Sequence, residues 1–250
     1  MIVGRGLLAR AFEPHFGKDS DVVVFASGVS NSLETRASEF AREKRLLCRL
    51  LEDETKRLVY FGSCGVTAAE PQITPYMEHK RAMQSLVLSV PHGLVLRLPQ
   101  VVAKTKNHHT LTNFLRDHIV SGKHFTVWAH AERNLIDIDD IVKIGVSLTM
   151  TLPTQPAAVS IAATRSMLMP EIVEIFERVL GKAANCSYVE KGVPMLIDTA
   201  MVEKVSAGMH IDLGGGYIAR VIEKYYAVDQ RHETGRASPT SANSKQPTHQ

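Results

Sequence analysis

The sequence predicts an α/β fold in which helices cover both faces of a parallel sheet. Apolar, strand-like runs alternate with amphipathic helical stretches over residues 1–150. The run from Val22 to Ala26 is continuously apolar and rich in β-branched residues, which is typical of a strand buried on both faces. Two glycines, Gly4 and Gly6, separate the first short strand from the first helix. Such a strand, turn and helix unit is typical of a doubly wound sheet.

Each predicted strand is a short apolar run, and the predicted helices at 33–54 and 76–90 carry apolar residues along one stripe. The predicted strands cover residues 1–3, 22–27, 58–61, 93–99, 135–138 and 159–162. The predicted helices cover residues 7–16, 33–54, 76–90, 111–120, 139–149 and 169–180. The third of these helices starts directly after Pro75, and the fifth starts at Asp139 and Asp140, where negative charge suits the helix N-terminus.

Composition and charge exclude several classes of protein. No apolar run approaches the ~20 residues that span a bilayer. The 29 Lys and Arg residues exceed the 26 Asp and Glu residues only slightly, which does not indicate a nucleic-acid-binding protein. Cys48, Cys64 and Cys186 are too scattered for a disulfide framework, and neither they nor the histidines have the spacing of a metal site. We therefore expect a cytoplasmic protein without nucleic-acid, membrane or metal partners.

The first motif is Gly4-x-Gly6-x-x-Ala9, between the first strand and the first helix. Glycine lets the backbone turn tightly and approach a pyrophosphate, whose charge then lies at the helix N-terminus. Such glycines also serve simple turns between a strand and a helix. The position of the motif at the first strand of an alternating chain favours cofactor binding.

The second motif joins Ser63, at the end of the third strand, to Tyr76 and Lys80. Residues four apart on a helix share a face, so Tyr76 and Lys80 should point to the same place. A phenol has an ordinary pKa of ~10, and a nearby ammonium should lower that pKa towards neutral pH. Ser63 lies where ligands of open α/β sheets bind, so its hydroxyl is a candidate partner for a substrate oxygen. A chance Tyr and Lys on a solvated helix is the alternative interpretation.

Six segments follow one another along the chain in an order that is specific to one family. They are GRGLLA, DVVVFAS, LVYFGSCGV, PYMEHK, LVLRLPQVV and RNLIDIDDIV. Over about residues 1–226 the chain resembles the extended short-chain dehydrogenases/reductases, in the group of NAD-dependent sugar-nucleotide epimerases and dehydratases. The resemblance implies a Rossmann-like fold, NAD or NADP as the cofactor and a nucleotide-linked sugar as the substrate.

The resemblance also assigns roles to single residues. Tyr76 would be the general acid/base, Lys80 its activator and ribose anchor, and Ser63 the hydroxyl that polarises the substrate. Together with Tyr76 and Lys80, the implied cofactor-binding residues are Gly4, Arg5, Gly6, Leu7, Leu8, Ala9, Ala26 and Ser27. The predicted substrate-binding residues are Gln100, Asn107 and Arg133.

The sequence departs from the family pattern in the dinucleotide-binding half. The family has two further strands between the first helix and the DVVVFAS strand, and a strand–helix–strand unit needs roughly 30 residues. Only residues 10–20 separate Ala9 from Asp21 here. The chain therefore predicts a sheet that is reduced on the adenosine side, without the strand whose acidic residue holds the adenosine ribose.

A second departure concerns the type of reaction. Dehydratases of this family follow the Ser or Thr with an Asp-Glu pair that eliminates water, whereas Cys64 and Gly65 follow Ser63 here. Epimerisation or carbonyl reduction is therefore favoured over elimination, and the sequence leaves these two open. We expect Cys64 to be a small buried thiol and not a nucleophile.

The resulting prediction is a dinucleotide-binding domain at 1–150, to whose substrate lobe 105–130 contributes, a small C-terminal lobe at 151–228, and a disordered tail at 229–250. The helices at 33–54 and 76–90 correspond to those that form a dimer interface in the resembled family, so a homodimer is expected. The leading hypothesis is an NAD(P)-dependent oxidoreductase or epimerase acting on a nucleotide-linked sugar. The alternative is a non-catalytic relative that binds a nucleotide or a partner.

Overall fold

The computed structural model describes residues 1–53, 55–67 and 73–227, and it contains the predicted alternation of strands and helices. The strands are β1 (Ile2–Val3), β2 (Val22–Phe25), β3 (Arg57–Ser63), β4 (Gly93–Leu98), β5 (Gln100–Val102), β6 (Phe125–Trp128), β7 (Glu132–Arg133), β8 (Leu135–Asp137), β9 (Ala157–Ser160), β10 (Met167–Leu168) and β11 (Cys186–Val189). The helices are α1 (Leu7–Phe16), α2 (Ala37–Leu50), α3 (Pro75–Leu88), α4 (Leu111–Ser121), α5 (Ile138–Thr151), α6 (Met169–Leu180), α7 (Ala200–Gly208) and α8 (Tyr217–Tyr226).

A parallel sheet of five strands forms the centre of the protein, in the order β1-β2-β3-β4-β9. Alternate residues of β2 face opposite layers. Val22 and Val24 pack with Phe12 of α1 in one cluster, which also contains residues of α5. Val23 and Phe25 pack in a second cluster with residues of α2 and α3. The sheet is therefore covered by helices on both faces, as predicted for a doubly wound fold.

The strand β1 stands at one edge of this sheet. Among the described strands β2 is its neighbour in the ladder, where Ile2 is paired with Val24 and Val3 with Phe25. The short connection through α1 leads directly back to β2, so no further strand lies beyond β1 in the described part of the chain. This confirms the prediction of a sheet that is reduced on the adenosine side.

The predicted helix at 33–54 is wrong at both ends, because α2 covers only Ala37–Leu50. At the start, the carboxylate of Glu34 accepts hydrogen bonds from the backbone N–H groups of Thr35 and Arg36, at 3.1 Å and 2.9 Å. A side chain that binds backbone groups in this way competes with the helical hydrogen-bond pattern. At the other end, Asp53 accepts a hydrogen bond from the backbone N–H of Thr55 and forms a turn.

The remaining strands pair locally and build a lobe beside the carboxyl ends of the sheet. They form three two-stranded sheets, β5 with β8, β6 with β11 and β7 with β10. The predicted domain boundary at residue 150 would place β9 in the C-terminal lobe. In the structure β9 instead extends the central sheet, because it pairs with β4. The predicted disordered tail at 229–250 lies outside the described residues. Among the helices of the described ranges, none has the length and apolarity needed to cross a bilayer.

The helix α8 is fastened to the start of α5 by an ion-pair and hydrogen-bond cluster around Asp137. The Asp137 carboxylate accepts hydrogen bonds from Lys224 Nζ at 2.6 Å, from the Tyr225 hydroxyl at 2.7 Å and from the backbone N–H of Asp139 at 2.9 Å. Asp137 is thus the residue that caps α5. Lys224 also contacts Asp139 at 2.7 Å, and Tyr217 donates to Asp140 at 2.7 Å.

Candidate active site

The turn between β1 and α1 brings the ends of β1 and β2 into contact. Gly4 has a φ of +140°, and a Cβ at this position would overlap the carbonyl oxygen of Ala26. Only glycine therefore fits between the two strands. Ala26 and the adjoining Ser27, both predicted to line the cofactor, directly follow β2 at the same edge of the sheet.

The N-terminus of α1 faces free space. Gly6 is the residue that precedes α1, no side chain caps the helix, and a Cβ on Gly6 would have no atom within 4 Å. Leu7 and Leu8 form the first turn, and Ala9 is buried behind them. The exposed Arg5 lies directly before Gly6. Uncapped N–H groups, an open approach and a basic residue form an arrangement that suits a phosphate group.

The structure brings Ser63 and Tyr76 together. Ser63 is the last residue of β3, Tyr76 lies in the first turn of α3, and the Ser63 hydroxyl is close enough to act on the pKa of the Tyr76 phenol. The start of α3 is well defined, because Pro75 is its first residue and the Thr74 hydroxyl accepts a hydrogen bond from the backbone N–H of Met77 at 3.2 Å. Ser63 also accepts a hydrogen bond from the backbone N–H of Gly65 at 3.2 Å.

Lys80 lies one helical turn after Tyr76, as the spacing predicts, and is almost fully buried. Its Nζ atom is 5.9 Å from the centre of the Tyr76 ring. It donates hydrogen bonds to Glu43 Oε1 at 3.1 Å and to the Tyr60 hydroxyl at 2.9 Å. The ammonium is thus held by side chains of α2 and β3 and stands beside the phenol without a hydrogen bond to it among the described contacts.

Glu43 is the centre of this buried cluster and is 0% exposed. Its carboxylate accepts four hydrogen bonds, from the backbone N–H of Val29 at 2.6 Å, the Tyr60 hydroxyl at 2.7 Å, His79 Nε2 at 2.9 Å and Lys80 Nζ at 3.1 Å. Burial raises the pKa of Glu43, but the hydrogen bond from His79 and the charge of Lys80 outweigh this effect and lower the pKa to about 2. Glu43 is therefore ionised at neutral pH.

The Tyr76 phenol does not have the lowered pKa that the Tyr-x-x-x-Lys spacing predicted. Burial raises the pKa of Tyr76 to about 12; the neighbouring Ser63 hydroxyl opposes the rise, and the negative charge of Glu43 adds to it. The ion pair with Glu43 neutralises the Lys80 ammonium and so removes the expected source of activation. Tyr76 is consequently protonated at neutral pH.

Cys64, directly after Ser63, is a buried thiol, as predicted. It is 1% exposed, and burial raises its pKa to about 12 against the influence of a hydrogen bond with Ser160. A thiol in this state is not a nucleophile at neutral pH. In the described ranges, His, Cys, Asp and Glu side chains form no group of three that could hold a metal ion.

The predicted substrate-binding residues lie on separate elements. The backbone N–H of Gln100 donates to Asn134 at 3.1 Å, and the side-chain Oε1 of Gln100 is buried without a hydrogen-bond partner among the described residues. Asn107 forms a turn before α4, where its Oδ1 accepts a hydrogen bond from the backbone N–H of His109 at 3.0 Å. Arg133 is half-buried on β7 and donates to the carbonyl oxygen of Glu132 at 2.7 Å.

A cavity of about 470 Å³ lies between the carboxyl ends of β4 and β9 and the lobe. Arg97, Asn134, Ser160 and Arg165 are among its lining residues. Arg97 is oriented by a hydrogen bond from its Nε to Gln84 Oε1 at 2.8 Å. The position of this cavity, outside the carboxyl ends of parallel strands, is typical of ligand sites in open α/β sheets.

Sequence reasoning missed Glu43, although a signal for it was present. Glu43 lies between Phe40 and Leu47 on the apolar stripe of α2. An acidic residue on the apolar face of a helix must find a partner in the core, because burial of an unpaired charge is costly.

No protein-family model matches this sequence, and no curated protein matches it either. Solved structures do match. The UDP-glucuronic acid 4-epimerase from Bacillus cereus, in complex with UDP-glucuronic acid and NAD, has a TM-score of 0.65 and 16% sequence identity, over 89% of this chain and 77% of that chain. The dTDP-glucose 4,6-dehydratase from Bacillus anthracis, in complex with NAD, has a TM-score of 0.64 and 15% identity, over 88% of this chain and 75% of that chain.

A third match is RMD from Pseudomonas aeruginosa complexed with NADPH. Its TM-score is 0.56 at 15% identity, over 83% of this chain and 82% of that chain. At such identities the likeness concerns the fold. The chain has the Rossmann-like fold of the NAD-dependent sugar-nucleotide epimerases and dehydratases, the group that its sequence motifs resemble.

Proposed function

We propose that the protein is an NAD(P)-dependent enzyme that moves a hydride and a proton on a nucleotide-linked sugar. The observation that carries this proposal is the proximity of the Ser63 and Tyr76 hydroxyls, with Lys80 one helical turn away. These three residue types, on a strand end and a helix start, form a site for transferring a proton to or from a substrate oxygen.

The residues of the β1–α1 turn fit a dinucleotide. The open space at Gly6 and the uncapped N-terminus of α1 suit the pyrophosphate, with Arg5 as a further contact. Ala26, Ser27 and Lys80 would meet the ribose beside the nicotinamide, which supplies or accepts the hydride when it is bound. The adenosine end has no strand beyond β1 among the described residues, so we propose that it is held by the turn and α1 alone.

Tyr76 is the group that moves the proton. Because the Tyr76 phenol is protonated at neutral pH, it would donate its proton to a carbonyl oxygen and recover one from the resulting alcohol in the reverse direction. The Ser63 hydroxyl would hydrogen-bond the same substrate oxygen. Both a reductase and an epimerase use these steps, and we propose this shared chemistry.

Elimination of water is not part of the proposal. The dehydratases of the resembled family carry an Asp-Glu pair directly after the Ser63 position, and this chain has a buried thiol at Cys64 and no side chain at Gly65. The structural neighbours bind UDP-glucuronic acid in one case and act on dTDP-glucose in another, which supports a nucleotide-linked sugar as the substrate class.

Titration with NADH and NADPH, followed by nicotinamide fluorescence, tests cofactor binding. Turnover is then measured by chromatography with a panel of UDP- and dTDP-linked sugars. Tyr76→Phe should abolish turnover and leave the affinity for NADH nearly unchanged. Tyr188→Phe is the matched control, because Tyr188 is 52% exposed on β11 and takes no part in the site. Absence of NADH and NADPH binding at millimolar concentration, or full turnover in Tyr76→Phe, would refute the proposal.

A non-catalytic nucleotide-binding protein is the second candidate, and two observations favour it. The edge position of β1 shortens the cofactor site, and Lys80 is already paired with Glu43. This candidate predicts binding of a nucleotide without turnover of any sugar in the panel. It also predicts equal affinities for NADH and for AMP, because the nicotinamide half of NADH would then contribute nothing to the binding affinity.

A further inference from the structure

We propose that Glu43 is a positioning residue of the Tyr76 site, where it fixes the Lys80 ammonium between α2, α3 and β3. This inference rests on the proposed function for its meaning in catalysis. Its structural basis is the buried cluster itself, in which Glu43 is 0% exposed and Lys80 is 3% exposed.

The geometry restricts what Lys80 can bind. An ammonium has three N–H donors, and two of those on Lys80 are directed to Glu43 and to the Tyr60 hydroxyl. One donor is left for a cofactor hydroxyl. Space around the ammonium is also limited by Gly28, where a Cβ would lie 2.9 Å from Lys80 Nζ and 3.0 Å from Glu43 Oε1. The pair therefore has one defined position, and Gly28 leaves just enough room for it.

Glu43 itself cannot serve as a ligand for substrate or cofactor. Its two oxygens already accept four hydrogen bonds from Val29, Tyr60, His79 and Lys80, which uses the acceptor capacity of a carboxylate. Replacement of a buried ion pair by apolar residues of similar size is often neutral or stabilising. The presence of Glu43 is thus best explained by the need to hold Lys80 beside Tyr76.

Several other polar groups face the pair from the elements around it. Arg42 of α2 acts on the charge of Lys80 and is itself paired with Glu39. Tyr60 of β3 and His79 of α3 bind Glu43 directly, and the loop after β2 contributes the Val29 backbone N–H. Among these groups Glu43 is the buried anion closest to the site, so its charge should influence the ionisation of the Tyr76 phenol.

Glu43→Gln removes this charge and retains the size of the side chain. Glu52→Gln is the matched control, because Glu52 is exposed just beyond α2 and has no ion-pair partner in the described ranges. Two readouts apply, the alkaline titration of tyrosinate absorbance and the fluorescence titration with NADH. The same substitutions in a Tyr76→Phe background assign the tyrosinate signal to Tyr76.

We expect Glu43→Gln to shift the ionisation of Tyr76 by about one pH unit to lower pH, because a neighbouring negative charge disfavours a phenolate. We expect its affinity for NADH to fall about tenfold, as for the loss of one hydrogen bond to a charged group. Glu52→Gln should change neither. Identical behaviour of the two variants in both titrations would overturn the inference.

A second variant tests the same pair without removing a charge. Gly28→Ala places a methyl group 2.9 Å from Lys80 Nζ and so displaces the ammonium, and it should weaken NADH binding; unchanged NADH binding would overturn the inference. This variant also decides the case if Glu43→Gln does not fold. Failure of the wild-type protein to bind NADH would refute the proposed function, whereas the Tyr76 titration would still decide whether Glu43 acts on the phenol.

Discussion

Glu43 and Lys80 form a buried ion pair, with 3.1 Å between Oε1 and Nζ and side-chain exposures of 0% and 4%. The pair joins α2 to α3, and Lys80 Nζ lies 5.9 Å from the centre of the Tyr76 ring. We expect it to contribute both to the stability of this layer of the protein and to the charge at the candidate site, and the first two predictions depend on it.

Lys80→Met should destabilise the protein by about 3–5 kcal/mol, because it leaves the carboxylate of Glu43 buried without its charge partner. The double variant Glu43→Gln, Lys80→Met removes both charges and should recover part of this loss. Urea denaturation of the wild type and the variants measures the free energy of unfolding. A loss below about 1 kcal/mol in Lys80→Met would contradict the assignment of a buried, ionised pair.

The free energy of unfolding should decrease as the pH is lowered, because the folded protein holds Glu43 in its ionised form. Its pKa is lowered from 4.5 to about 2 in the folded protein, so the unfolded chain takes up the proton first as the pH falls. The contribution of Glu43 is therefore complete above pH 4.5 and is lost progressively between pH 4.5 and about 2. Urea midpoints measured across this range should decline more steeply for the wild type than for Glu43→Gln. Parallel curves would show that Glu43 has no such coupling.

The two glycines of the β1–α1 turn should respond differently to alanine. Gly4→Ala forces a side chain at a φ of +140° against Ala26, and it should destabilise the protein by about 2 kcal/mol or more. Gly6→Ala meets no atom within 4 Å and should leave the free energy of unfolding nearly unchanged. It should nevertheless weaken NADH binding, since its methyl group would occupy the space in front of α1. Thermal denaturation and NADH fluorescence separate the two effects.

Asp137→Ala should cost about 2–4 kcal/mol, because it removes the cap of α5 and leaves Tyr225 and Lys224 of α8 without their buried acceptor. Asp139→Ala is the comparison, since the Asp139 side chain is 60% exposed and, of these two α8 residues, contacts only Lys224. The expected cost for Asp139→Ala is below about 1 kcal/mol. Equal midpoints of thermal unfolding for the two variants would show that α8 is held by its apolar face alone.

The sequence predicted those elements whose local pattern is strong. The continuous apolar run at Val22–Phe25 and the predicted helix at Met169–Leu180 match β2 and α6. The proximity of Ser63 and Tyr76 was also predictable, because a strand end and a proline-started helix fix the two positions. The strands β5, β6, β7, β10 and β11 were missed, since runs of two to four residues that pair with distant partners have little local signal.

The partner of Lys80 was missed for a different reason. The spacing of Tyr76 and Lys80 places both on one face of α3 but says nothing about the element packed against that face. Glu43 reaches Lys80 only because α2 packs beside α3, which is a contact between residues 37 positions apart. The ionisation of Tyr76 depends on this distant contact, so the direction of its pKa shift could not be read from the motif.

The strand β3 lies in the middle of the sheet, with β2 paired along one side and β4 along the other. It carries both Tyr60 of the buried cluster and Ser63 of the candidate site. Amide groups held by two ladders exchange with solvent only through large-scale opening, whereas those of an edge strand exchange through local fraying. Tyr60 is paired with both neighbouring strands, whereas Ser63 is paired with Leu98 of β4 alone. The backbone at Tyr60 is therefore the fixed part of the buried cluster, and we expect any movement that frees Lys80 to come from α2, α3 or the loop at Gly28.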